Sequence, residues 1–186
     1  MEKVADRNKK QAHDVDLEQN QYLTFMIAGD TFAMGILAIK EIIQYGQLTE
    51  IPRMPAFIRG VINLRGAVVP VIDLNARFNM PEARVSRRSC IIIVEIHTEE
   101  GEKQDIGVMV DAVNEVLEIL PADIEPAPSF GANIRSDFIG GMGKIKGRFV
   151  IILNIDQVLS LFEIADIISV ASMVRKSSET AERMAA

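Results

Sequence analysis

The stretch Phe57-Ile58-Arg59-Gly60-Val61-Ile62-Asn63-Leu64-Arg65-Gly66-Ala67-Val68-Val69-Pro70-Val71-Ile72-Asp73-Leu74 holds two short apolar runs that meet at Arg65-Gly66. Ile- and Val-rich runs broken by a Gly-containing turn mark a β-hairpin, because branched side chains suit a pleated strand and Gly suits the turn. The same pattern returns later in the chain. Phe57-Ile58-Arg59-Gly60-Val61 is matched 81 positions on by Phe138-Ile139-Gly140-Gly141-Met142. At that offset Gly66 meets Gly147, and Val71-Ile72-Asp73-Leu74 meets Ile152-Leu153-Asn154-Ile155. Upstream, Ala38-Ile39-Lys40-Glu41-Ile42-Ile43 is matched 74 positions on by Ala112-Val113-Asn114-Glu115-Val116-Leu117. The seven-residue difference reads as one insertion in the second copy, within the Pro-rich loop Pro121 to Pro128. Several matches in one order identify a duplicated small β module.

Further hairpins lie to either side. Tyr22 to Ile27 runs to the turn Ala28-Gly29-Asp30, and Phe32 to Ile36 follows. Cys90 to Ile96 meets the polar stretch His97 to Lys103, and Ile106 to Val110 continues. Strands this dense predict an all-β fold of small barrels or a sandwich. A unit of such size cannot bury both faces of its strands alone, so the two copies are expected to pack along an apolar seam. The expected body spans 21–165, with repeats at about 21–80 and 89–156. Residues 1–20, charged and without an apolar period, read as a mobile arm, and 166–186 as a mobile polar tail. Asn154 to Val170 reads as a helix capped by Asn154 or Asp156, with Val158, Leu161, Phe162, Ile164 and Ile168 at near-helical spacing.

Composition narrows the function. The 186 residues are 48% hydrophobic and carry a formal net charge of −6. A general nucleic-acid binder needs a basic footprint to displace counterions, so that class is disfavoured. The single cysteine, Cys90, excludes an intramolecular disulfide and any zinc site needing two thiolates. No signal peptide or spanning segment is legible, which points to the cytoplasm and to no direct membrane insertion.

Catalytic chemistry is not legible either. His13 lies in the charged arm, and His97 lies in a hairpin loop beside Glu99 and Glu100. Cys90 opens the strand run Ile91-Ile92-Ile93-Val94 and reads as a small packing residue. Gly140-Gly141-Met142-Gly143 lacks both the P-loop lysine and the dinucleotide spacing. Asp73 and Asp111 fall near strand ends, where capping or a turn is the expected role. The expectation is a protein that is not an enzyme and needs no metal or other cofactor.

The segment Ile51-Pro52-Arg53-Met54-Pro55-Ala56-Phe57-Ile58-Arg59-Gly60-Val61-Ile62-Asn63-Leu64-Arg65-Gly66, continued by Val68-Val69-Pro70-Val71-Ile72-Asp73-Leu74, closely resembles the hallmark of the CheW family. Tyr22-Leu23-Thr24-Phe25, Lys40-Glu41-Ile42, Gly107 to Val116 and Pro126-Ala127-Pro128 fall in the family's order, so the resemblance covers Gln21 to Phe162. Met54 departs from the small or polar residue more usual between the loop prolines. The resemblance implies a mainly all-β fold of two packed five-stranded SH3-like β-barrels, with short helices and a C-terminal helix. It further implies a cytoplasmic, non-catalytic adaptor that meets the tip of a chemoreceptor and the regulatory domain of the histidine kinase CheA.

Site residues follow from the same resemblance. Ile39, Ile91 and Val116 fall where the family's receptor-binding groove presents apolar side chains, suited to a helix laid in a groove. Glu41 and Arg65 match a family pair whose carboxylate and guanidinium suit a bidentate contact. Gly60, Gly66 and Gly107 match the motif's structural glycines. Leu48, beside Tyr45 and Gly46, matches a position of kinase contact and is expected to be exposed. Two other readings stay open. One is a CheW-like adaptor of a non-flagellar pathway, and the other a small-ligand-binding β-barrel with a cleft at the seam.

Overall fold

The computed structural model describes residues 18–97, 101–128, 134–159, 180–181 and 183–185. Among them, eleven strands form two sheets. In chain order these are β1 (Gln21–Ile27), β2 (Asp30–Gly35), β3 (Ile39–Gln44), β4 (Ile58–Leu64), β5 (Ala67–Asp73) and β6 (Cys90–His97). Then come β7 (Lys103–Val110), β8 (Ala112–Glu118), β9 (Ile124–Glu125), β10 (Ile139–Ile145) and β11 (Arg148–Leu153). The expected arm at 1–17 lies outside the described residues. So does most of the expected C-terminal helix, of which the turn Ile155–Val158 is seen, with the Asn154 side-chain oxygen accepting the Gln157 amide as a cap.

Three hairpins turn in the same way. Arg65 and Gly66 have φ of 52° and 85°, Lys146 and Gly147 of 49° and 79°, and Ala28 and Gly29 of 51° and 89°. Two successive left-handed residues give a turn whose twist matches that of the flanking strands, which is why a small or flexible pair sits at each tip. At the β4–β5 tip the Asn63 side chain also accepts the Gly66 amide at 2.9 Å.

The sheets do not follow the boundary between the repeats. One is ordered β8-β1-β2-β11-β10-β9 and the other β3-β6-β7-β5-β4. Hairpin β1–β2 of the first repeat lies between β8 and β11 of the second, and hairpin β6–β7 of the second lies between β3 and β5 of the first. Each hairpin pairs antiparallel on one side and parallel on the other, β2 with β11 and β7 with β5. The strand orders are therefore equivalent, with the hairpins exchanged. The expected apolar seam exists, but the copies are also interlocked by backbone hydrogen bonds. Even the extra strand β9 has a counterpart. It pairs with Met142 in one sheet as Thr49 bridges to Val61 in the other.

Burial explains the unbroken apolar runs. Ile92, Val94 and Ile96 of β6 enter a core shared by both sheets, while Ile91 and Ile93 enter a smaller cluster with Val69, Val71, Ala83 and Met109. Alternate side chains thus serve two interiors, so the strand is buried on both faces. Ala33, Ile119, Val150 and Ile152 form the matching cluster of the other sheet. Through the shared core runs a chain of rings, Phe25, Phe32, Phe78 and Phe138, with successive centroids 6.4, 5.8 and 6.0 Å apart. Each fully buried ring or branched aliphatic stabilises by about 2 kcal/mol relative to exposure, far more than any surface pair described below.

Candidate functional site

Among the described residues β3 is an edge strand paired only with β6, and a register shift between Ile39 and Glu41 marks a bulge near its start. The β4–β5 hairpin tip reaches Glu41. The Arg65 guanidinium donates to both Glu41 carboxylate oxygens, at 2.8 and 2.9 Å. The fork is held from both ends, by the left-handed backbone at Arg65 and by the strand under Glu41. The Arg65 side chain is 77% exposed and that of Glu41 26%. Such an exposed pair contributes under about 1 kcal/mol to stability, so its geometry is better suited to orienting the tip than to holding the fold.

A second group of charges lies beside it. Lys40 donates to both oxygens of Asp105 at 2.9 Å and lies 3.7 Å from Glu95, which pairs with Lys103 at 2.8 Å. The hydrogen bond to Asp105 raises the Lys40 pKa above the usual lysine value. The hydrogen bond from Lys103 lowers that of Glu95 below the usual carboxylate value. These contacts tie β3, β6 and β7 across the surface.

The other expected site residues separate. Ile39 is partly buried against the shared core. Ile91 is 1% exposed and offers no free surface; it lies under β3, opposite Ile43, and can act only as support. Val116 is 51% exposed but stands on β8, one edge strand of the other sheet. Leu48, expected to be exposed, is half-buried, because the loop after β3 folds back so that Leu48 packs on the cluster around Val69 and Ile91. It lines an open concavity of about 1130 Å³ together with Ile43, Met54, Ile62 and Arg59. The exposed apolar residues not singled out from the sequence include Leu37 at 61% and Ile42 at 43%. The repeat carried the signal for Ile42, since it occupies in β3 the place of Val116 in β8.

The glycines have distinct reasons. A Cβ on Gly60, whose φ is 146°, would lie 2.4 Å from the Thr49 carbonyl oxygen. Gly66 needs its positive φ at the tip but faces open space. A Cβ on Gly107 would lie 2.8 Å from Ile91 and 3.1 Å from Val71, where β7 joins β5. The two aspartates are structural. Asp73 is buried and accepts the amides of Asn75, Ala76 and Ala83, and Asp111 accepts the Ala28 amide at 2.7 Å. His97 is exposed at the end of β6, opposite Lys103, and the Cys90 thiol donates to the Arg88 carbonyl.

The model of the CheW-like domain family matches residues 21–163, which include both sheets and the Glu41–Arg65 pair. The chain belongs to that family. The chemotaxis protein CheW of Klebsiella aerogenes is 32% identical over 151 residues, covering 81% of this chain and 88% of that protein. The protein FrzA of Myxococcus xanthus is 31% identical over 143 residues, covering 76% of this chain and 86% of that protein. Among solved structures, the scaffolding protein TtCheW from Thermoanaerobacter tengcongensis is similar with a TM-score of 0.68 at 33% identity, covering 78% of this chain and 90% of that one. No helix among the described residues is long and apolar enough to cross a membrane.

Proposed function

We propose that this CheW-like chain is a non-catalytic adaptor that couples the cytoplasmic tip of a chemoreceptor to the histidine kinase CheA, working in the cytoplasm and reaching the membrane-associated array through its partners. The observation that carries the reading is the Arg65–Glu41 fork, which fixes a family hairpin tip against an edge strand bearing exposed Ile42. A receptor helix bundle presents polar and apolar side chains in rows, and a forked ion pair beside an exposed aliphatic suits both. In this reading Ile39 and Ile91 support the receptor-binding surface from below, Val116 presents the equivalent place on the other sheet, and half-buried Leu48 contributes to the kinase contact.

The test mixes the full chain with CheA and a chemoreceptor cytoplasmic fragment, and follows both pull-down and kinase phosphorylation. Capture of both partners is expected, with receptor control of phosphorylation dependent on this chain. Arg65→Ala, folded by its amide spectrum, is expected to weaken receptor control by about tenfold or more, the loss typical of a charged contact at an interface. A folded wild-type chain that captures neither partner refutes the coupling role. An adaptor of a non-flagellar chemosensory pathway is the second reading, decided by which kinase is captured; the chain is 32% identical to a chemotaxis protein CheW and 31% identical to the differently named protein FrzA.

A further inference from the structure

The loop Arg84-Val85-Ser86-Arg87-Arg88, between the β5 helical turn and β6, places three arginines among five consecutive exposed residues of a chain whose net charge is −6. Its ends are fixed. Ala83 is buried, and its amide donates to the buried Asp73 carboxylate at 3.1 Å. Ser89 is fully buried, and its carbonyl accepts the Tyr45 amide at 3.0 Å. Between these anchors the two serines brace the turn. The Ser86 amide donates to the Ser89 hydroxyl oxygen at 2.8 Å, the Arg88 amide to the Ser86 hydroxyl oxygen at 3.1 Å, and the Ser89 amide to the Ser86 carbonyl at 3.2 Å. Arg87 and Arg88 form the tip of that turn.

Five cations elsewhere on the described surface have carboxylate partners: Arg59 takes Glu82, Arg65 takes Glu41, Lys40 takes Asp105, Lys103 takes Glu95, and Arg135 takes Asp137. Arg84, Arg87 and Arg88 have no side-chain partner among the described residues. Three like charges crowded on one short loop repel one another, and the repulsion is relieved when anions dock. A backbone already held in place loses little further freedom on binding. Each guanidinium can fork onto a carboxylate, and Val85, 51% exposed, adds an apolar contact between them.

We propose that the Arg84–Arg88 loop is a docking site for a short acidic segment of a partner protein, separate from the Arg65 tip and independent of the adaptor reading. The net charge decides the class of partner. Nucleic acid and anionic membrane are extended and would bring further negative charge within a Debye length, about 10 Å at moderate salt, of the rest of a chain of net charge −6, whereas a few carboxylates engage only the loop itself.

The probe is an octaglutamate peptide titrated into the full isotope-labelled chain at low and at physiological salt. Octaglutamine, a DNA duplex, and vesicles of phosphatidylcholine with phosphatidylserine are run alongside. Salt-weakened binding of octaglutamate is expected, with amide shifts confined to the loop and its anchors. The Arg84→Gln, Arg87→Gln, Arg88→Gln variant should lose about tenfold or more of that affinity with the rest of its spectrum unchanged. The corresponding lysine variant, which keeps the charge but loses the fork, is expected to bind several-fold more weakly than the wild type. Equal binding by the glutamine variant, shifts centred on other residues, or tighter binding of DNA or vesicles through these arginines overturns the proposal. Equal binding by the lysine variant overturns the forked recognition.

Discussion

Gly60 sits where the loop before β4 crosses closest to it, with Thr49 bonded to both backbone groups of Val61 at 2.9 Å. Alanine there meets a carbonyl oxygen at 2.4 Å and a backbone angle that L-residues avoid, whereas Gly66 faces open space. Gly60→Ala is therefore expected to cost about 2–3 kcal/mol and Gly66→Ala about 1 kcal/mol, read as the shift of the urea midpoint at constant slope. A Gly66 variant that loses as much as the Gly60 variant contradicts the crowding at Thr49. At this scale the sequence was legible where chemistry is local. The Glu41–Arg65 pair, the aspartate caps and the turn glycines follow from residue type and motif. Exposure was less legible: whether Ile91 or Leu48 reaches solvent depends on what the opposite strand and the returning loop cover, and neither is written beside the residue.

Elements are joined across the surface by charge as well as by ladders. Lys40 on β3, Glu95 on β6, and Lys103 and Asp105 on β7 form one row. Glu95 ionises more readily in the folded chain than in the unfolded one. Its contribution is thus present above the unfolded carboxylate value and lost as pH falls through its lowered folded value. Lys40 has the opposite sign: its contribution is present below the unfolded lysine value and lost as pH rises through its raised folded value. Glu95→Gln is expected to flatten the acid limb of stability against pH and, because Glu95 also helps to raise Lys40, to flatten the alkaline limb to a smaller degree, measured by urea unfolding across that range. An unchanged acid limb removes Glu95 from the row. Strands and their tips were readable from apolar runs and Gly turns, but this row was not, because it depends on register. Lys103 faces His97, and Asp105 faces Glu95, only once β6 and β7 are paired.

Among the described residues two sheets share one large core, each sheet has a smaller cluster of its own, and every sheet needs strands from both repeats. Arg77 adds to the link, its guanidinium 4.9 Å from the Phe57 ring and 4.8 Å from the Phe138 ring, and its Nε donating to the Val158 carbonyl at 2.9 Å. Unfolding is expected to be one transition, coincident by fluorescence-labelled Cys90 and by far-ultraviolet dichroism. A chain divided between Met80 and Pro81 is expected to yield halves with collapsed amide dispersion that regain the native spectrum on mixing. A half that is natively dispersed alone contradicts the interlock. Internal likeness revealed the repeat, its insertion and its equivalent turns. It could not reveal the exchange, because matching segments show which strands are alike and not which copy supplies a strand's neighbour.

The exchanged hairpins also bear on where such a chain comes from. A single copy of the repeat holds a hairpin and three further strands, yet gives its hairpin to another sheet and completes its own with a borrowed one. Two identical copies meet that need reciprocally, each lending the other the same piece, so the unit of folding for an unduplicated repeat is a domain-swapped homodimer. Fusing the copies makes the exchange intramolecular and independent of concentration, and frees each half to change its exposed face without the other. That freedom is visible at one pair of equivalent places, where Arg65 closes on Glu41 while the matching hairpin tip carries a lysine.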